Sequence, residues 1–443
     1  MSSLPSLEGM PEELVEAVVQ LLELSDTCSL RQSCRDIAAK ASRGRFRTFF
    51  IVKRVRLAPD GNVAEFAHLT QPESLGCLLR GLTIVGYVPA ETDDTHDNHD
   101  DSDEHFEPDD GSTKLADLLK TAFGNLRRNS PLRCLRSLSL EVDGQGEEGR
   151  QSPRLVFTSW PRTWETAGHT FRIAMMTLAE SGLLVERLDV FGNVNRCSLA
   201  VDKIGPVLPH VGIHSSLQNL RHLTLSLSHH ASAGIDKVES RSAAMGKDHV
   251  EDVCRFIQSC TQLESLDLHW FGLGHSGKND AALEEEHVFD RIAELAHLIS
   301  LTTCVLCGIT TTEAALLSFL ANQVQLQSMT MTGIQLASGH WRPIFDALRS
   351  CTRLNYLHFD HLYENRLISF NGAPGKPDFP SVRPTGPNRI TREGAEARLP
   401  VRYNLKQGRP AGSPDTGRWI REQHFRYGPP DSHDGIAGVS RCI

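Results

Sequence analysis

The chain has 443 residues, 40% hydrophobic, 23% charged and 6% aromatic, with a formal net charge of −9. That length accommodates roughly three average domains or one long repeat array, with a core that needs neither disulfides nor metals for stability. No run of about 18 apolar residues occurs, which excludes a transmembrane helix, and the opening MSSLPSLEGMPEELVE lacks the basic-then-apolar order of a secretory leader. Eleven scattered cysteines, an odd number, fit a reduced cytoplasmic or nuclear protein.

Residues 10–43 predict short helices. Pro11 suits a first helical position, and Glu12 and Glu13 favour the positive end of the helix dipole. Leu14, Val18, Leu21 and Leu22 recur at i, i+4, i+7 and i+8 and define one apolar face. Ser25 or Asp26 predicts the cap of a second helix with Cys28, Leu30 and Arg31, and a third runs from Arg35 to Ser42, ended by Gly44. Three short helices bury little surface alone, so they require a partner within the chain or outside it.

Met10, Pro11, Glu13, Leu14, Val18, Leu22, Asp26, Leu30, Arg31 and Cys34 stand without gaps in the pattern L-P-x-E-L-x-x-x-I-x-x-x-L, then D-L-x-x-L-R-x-x-C. The segment therefore resembles an F-box of fungal type, the motif that docks substrate receptors on the Skp1 adaptor of cullin–RING ubiquitin ligases. It departs from the pattern at Met10 for leucine, Thr27 for leucine and Ile37 for tryptophan. The resemblance implies that Met10, Pro11, Leu14, Val18, Leu22, Leu30 and Cys34 contact Skp1.

Residues 91–110 contain eleven carboxylates and no Lys or Arg, so the remaining chain carries +2. Such a stretch cannot bury apolar surface, and it predicts a disordered loop over 91–112. His96, His99 and His105 lie among these acids, but loose metal binding is the lesser reading, because a metal site needs fixed geometry.

The body carries an internal repeat. L-x-x-L-x-L-like segments begin at Leu79, Leu135, Val185, Leu220, Leu263, Leu301, Leu326 and Leu354, and SCTQLESLDL (259–268) nearly repeats as SCTRLNYLHF (350–359). Helical patterns lie at 114–126, 249–259, 285–298, 312–323 and 341–350, while 141–170 and 228–248 read as inserted length. This resembles a degenerate leucine-rich-repeat solenoid, an α/β repeat with parallel strands inside and helices outside. Period-two alternation then directs Arg187, Asp189, Phe191, His222, Asp267, His269, Tyr356, His358 and Asp360 to the concave face, as candidate substrate contacts.

Residues 371–443 hold ten prolines, ten glycines and a charge of +5, disfavouring long helices and paired strands. Tyr403, Trp419, Phe425 and Tyr427 can pin this tail to the body. Its positive charge is too dilute and mixed with acids to predict a nucleic-acid site. Cys304 and Cys307 are a lone C-x-x-C whose side chains oppose one another on a strand. No zinc-ligand spacing, phosphate loop or nucleophile elbow occurs, so no metal, cofactor or enzymatic activity is expected. The sequence thus divides into an F-box (1–45), a first strand region (46–90), the acidic loop (91–112), the repeat body (113–370) and the tail (371–443). It predicts a non-catalytic receptor of an SCF-type ligase, with Skp1 and a target protein as partners, the alternative being a binding scaffold capped by the N-terminal helices.

Overall fold

The computed structural model describes residues 7–58, 61–88, 110–144, 160–194, 197–230, 242–271, 280–295, 298–370 and 387–405. The acidic segment 91–109, with His96, His99 and His105, lies outside them, as do Trp419, Phe425 and Tyr427. Four short helices open the chain: α1 (Glu12–Val19), α2 (Leu24–Ser33), α3 (Arg35–Ala41) and α4 (Gly44–Thr48). Val15, Val19, Ile37 and Ala41 form a core of their own, with Met10, Leu30 and Cys34 packed against it. The inward face of α1 is therefore Val15 and Val19, one residue round from Leu14 and Val18.

Gly44 begins α4 at φ 45°; it does not simply end α3. The left-handed backbone favours glycine there, and Glu16 Oε1, which accepts the Arg45 N–H at 2.7 Å, fills the space a Cβ would occupy. Lys40 donates to the carbonyls of Glu8 and Met10 at 2.7 and 2.8 Å, tying the entering chain to α3.

The rest is a mixed α/β structure built on one large sheet. Ten strands line up in chain order: β1 (Val52–Leu57), β2 (Gly81–Val88), β3 (Ser137–Gly144), β4 (Arg187–Val190), β5 (His222–Ser228), β6 (Ser265–Phe271), β7 (Thr303–Cys307), β8 (Ser328–Thr332), β9 (Tyr356–Asp360) and β10 (Arg389–Glu393). Leu199–Ala200 adds a short strand beside β5. All neighbours on the path are parallel except β9 and β10, which are antiparallel, and the sheet does not close into a barrel.

Helices occupy the connections: α5 (Val63–Leu69), α6 (Asp110–Asn129), α7 (Trp160–Ser181), α8 (Gly212–Leu217), α9 (Ala243–Gln258), α10 (Asp280–Glu285), α11 (Val288–Leu295), α12 (Glu313–Asn322) and α13 (Trp341–Ser350). Their apolar stripes meet the sheet; in α13, Trp341, Ile344, Phe345 and Leu348 are buried at helical spacing. Among the described residues no helix is long and apolar enough to cross a membrane.

The repeated apolar triplets explain why successive strands pair without slipping. Leu82, Leu138, Leu188, Leu223, Leu266, Cys304, Met329 and Leu357 are successive Cα partners across eight strands. All twenty-four triplet positions are at most 3% exposed. A one-residue slip would turn two triplet side chains of a strand outward, at roughly 1.5–3 kcal/mol for each large one exposed.

The structure also redraws several boundaries. The inserted length expected at 141–170 contains the start of α7, and the helix expected over 285–298 shortens to Val288–Leu295, a separate helix having ended at Glu285. Helix α6 begins at Asp110, inside the loop expected to reach 112. Paired strands do occur within 371–443: β10 reads RITRE, five residues without proline or glycine, and Tyr403–Leu405 pairs with Ile368–Phe370.

Candidate functional site

The N-terminal helices leave an apolar ridge without cover among the described residues. Pro11 is exposed, and Leu14, Val18 and Leu21 are 51%, 38% and 87% exposed. They follow one another at i, i+3, i+7 and i+10, so they share a side of α1 and the turn after it. The seven residues expected at Skp1 divide accordingly. Pro11, Leu14 and Val18 are open, Leu22 is half-buried, and Met10, Leu30 and Cys34 pack on the small core. Cys34 has a further local duty, its Sγ accepting the Ile37 N–H at 3.4 Å at the start of α3.

On the sheet face away from the triplets, the predicted side chains fall into three rows. One runs Arg187, His222, Ser265, Thr303, Ser328 and Tyr356; the next runs Asp189, Thr224, Asp267, Val305, Thr330 and His358. The third runs Ser226, His269, Cys307, Thr332 and Asp360. Strands stand about 4.8 Å apart, so His269 and Asp360, three strands apart, are separated by about 14 Å. The candidates therefore form two groups.

The first group centres on His269. Its Nε2 lies 2.6 Å from Oδ1 of Asp267, and Cys307 is its register partner on β7. Burial pulls the imidazole pKa down, but Asp267 and the Cys307 side chain outweigh that and raise it to about 10. Burial also pushes the Asp189 carboxyl up, against the Gly192 N–H that it accepts at 2.8 Å. His222 is half-buried and its pKa is lowered, first by burial and then by Arg187, which is exposed. The second group sits beside β10: His358 Nδ1 meets Thr391 Oγ1 at 2.8 Å, and Asp360 pairs with Arg389 at 2.6 Å and His361 at 2.7 Å.

Four candidates are closed off instead of lining an open surface: Asp189, His269 and Asp360 are each 6% exposed, and Phe191 lies deepest. Phe191 is 0% exposed, lies in the core and has φ 60°. On β7 and β8 the left-handed turn falls at Gly308 and Gly333, two residues past the last apolar triplet position, and His361 repeats it after β9. After β4 it comes one residue earlier, which turns Phe191 inward; burial of the ring offsets the cost of the left-handed backbone. Asp189 holds this turn, accepting from Gly192 N and Asn193 Nδ2. Cys304 and Cys307 face opposite sides of β7, and the ten cysteines among the described residues are free.

The sequence reading expected no metal centre and missed His229, His230, His249 and Glu285, which the fold brings together from three separate segments. Burial alone would raise the Glu285 carboxyl, but the three imidazoles outweigh it and hold the group well below the ordinary range. No local spacing signals this cluster, because 55 residues separate His230 from Glu285. No protein-family model matches the chain, and no curated protein matches it.

Proposed function

We propose that the chain is the substrate-recognition adaptor of an SCF-type ubiquitin ligase, holding Skp1 through residues 10–43 and a target protein through the body. The observation that carries this reading is the open ridge Pro11, Leu14 and Val18, on a helical module whose core is closed by other residues. These are positions that the F-box resemblance assigns to Skp1. The body is read as a degenerate leucine-rich-repeat solenoid, supported by the eight triplets on consecutive parallel strands. Its open face offers Arg187, His222, Asp267, Tyr356 and His358 to the target. The chain's contribution is tethering: a ubiquitin-loaded enzyme meets the lysines of a held target at high effective concentration.

Recovery of Skp1 with the full chain, compared between the native protein and a Pro11→Ala/Leu14→Ala variant, tests the proposal. Truncating a docked anchor costs about 2 kcal/mol, roughly 30-fold in Kd. The thermal midpoint stays unchanged, because exposed substitutions cost no more than about 0.5 kcal/mol. Equal recovery from both proteins refutes the adaptor reading and leaves the N-terminal helices as a cap on a binding scaffold.

A further inference from the structure

Just beyond the carboxyl end of β5, His229 and His230 turn into the interior. His249 meets them from α9, and Glu285 from the last position of α10. The side chains of His229, His230 and Glu285 are 0% exposed and that of His249 is 13% exposed. Oε1 of Glu285 lies 2.8 Å from His230 Nδ1 and 2.7 Å from His249 Nδ1. Oε2 lies 3.3 Å from His229 Nδ1 and 3.1 Å from the backbone N–H of His230. The His229 ring is braced edge-on against Trp270 at 5.1 Å between centroids.

Gly246 allows this convergence. A Cβ there would lie 2.3 Å from the Ala281 carbonyl oxygen and 2.9 Å from its Cα, so α9 and α10 can approach this closely only at glycine. His249 follows Gly246 by three residues and Glu285 follows Ala281 by four, so helical spacing puts both side chains on the contact face.

We infer that His230, His249 and Glu285 bind a divalent transition-metal cation, zinc by ligand type, with His229 and Gly246 as positioning residues. The two imidazole nitrogens and the carboxylate oxygen all lie within 4.8 Å of one another. Zinc bonds to nitrogen and oxygen are about 2.0–2.2 Å, which places ligand atoms roughly 3–4 Å apart around one ion. The imidazoles need back away from Oε1 by roughly half an ångström, while His229 and the His230 N–H hold Oε2. Each ligating imidazole would offer Nδ1 to the metal and carry its proton on Nε2. The dication balances Glu285 together with Glu286, whose Oε1 lies 3.8 Å from His229 Nε2. Three ligands leave the fourth position of a four-coordinate ion to water, and His249 is the one of the four side chains with exposure. The bound ion clamps α9 and α10 to the end of β5.

The test uses the full chain, stripped by a chelator and titrated with Co²⁺ and separately with Zn²⁺. Four proteins are compared: native, His249→Gln, Gly246→Ala, and His96→Ala/His99→Ala/His105→Ala, which removes the histidines of the acidic segment. The expected result is one ion per chain, with the visible absorption of low-coordinate cobalt, in the native and triple-alanine proteins. Affinity falls at least tenfold in His249→Gln and Gly246→Ala, and X-ray absorption of the zinc form of the triple variant shows imidazole scattering in a nitrogen/oxygen shell. Should either cluster variant fail to fold, that spectrum decides alone. The inference is overturned by no saturable binding, by binding that the triple variant abolishes and His249→Gln leaves intact, or by a zinc shell without imidazole.

Discussion

The anchoring of β10 on β9 is the contact whose energetics can be worked most closely. Arg389 donates through Nε and Nη2 to one oxygen of Asp360, at 3.0 and 2.6 Å, and His361 Nδ1 approaches the other oxygen at 2.7 Å. Asp360 is 8% exposed at its side chain but Arg389 is 66% exposed, so water competes for the guanidinium. The pair therefore falls short of the 3–5 kcal/mol or so expected for a fully buried one. A coupling of about 1–2 kcal/mol is expected instead.

Burial would raise the Asp360 carboxyl, but His361 and Arg389 outweigh it and hold the group below its usual value. A depressed carboxylate stabilises the fold above its unfolded pKa, about 3.9, and that contribution is lost as the pH falls through the folded value. Urea unfolding of the native protein, Arg389→Ala, Asp360→Asn and the double variant measures the coupling, and native-state hydrogen exchange locates it in the β9–β10 ladder. The part of the acid limb that Asp360 contributes should shrink in Arg389→Ala and be absent from Asp360→Asn, while the part owed to other depressed carboxylates such as Glu285 remains. A coupling below about 0.3 kcal/mol, with the same acid limb in all four proteins, would refute the reasoning.

Two further perturbations probe the sheet face opposite the triplets and the C-terminal closure. His269 is buried, with its pKa raised to about 10, so its contribution is complete below its unfolded value near 6.5 and is lost as the pH rises through about 10. The unfolding free energy from urea titrations should fall over that window by an amount on the order of a few kcal/mol, and His269→Gln should make the slope shallower; a parallel slope in the variant counts against the Asp267–His269–Cys307 grouping. Tyr403 donates its hydroxyl to Glu364 at 2.6 Å, and Glu364 also accepts the Trp341 N–H at 2.9 Å. Tyr403→Phe should cost about 1–2 kcal/mol while leaving the ring on Phe345; an unchanged midpoint would show that water replaces the bond at no cost.

The body was legible wherever a strand obeyed the apolar triplet, since burial on the helix side and period two suffice to fix the register. Strand β1 breaks the rule: Lys53 stands opposite Leu82, and only Val55 and Leu57 are buried, as an edge strand permits. Strand β10 was hidden because the composition of a 73-residue tail outweighed five ordinary strand residues. On the ridge, the helical period correctly grouped Leu14 with Val18 but could not say which face was inward. Val15 and Val19 have the same spacing, and only their packing on Ile37 and Ala41 decides. Phe191 left the predicted face through a turn one residue early, a shift that alternation cannot encode.

The proposed metal cluster and target face lie where the repeat leaves side chains uncommitted. Triplet residues are consumed by the core, so recognition and ligation fall to the open strand face, to strand ends and to connections. His229 and His230 extend β5 past its last strand residue, and His249 and Glu285 come from the connections flanking β6. The ridge belongs to a separate core, that of Val15, Val19, Ile37 and Ala41, which shares no residue with the main one. Substitutions in independent cores act additively. Loss of Skp1 recovery in Pro11→Ala/Leu14→Ala should therefore leave cobalt binding intact, and His249→Gln should leave Skp1 recovery intact. A variant that moved both readouts would be reporting general unfolding, and its result would speak for neither site.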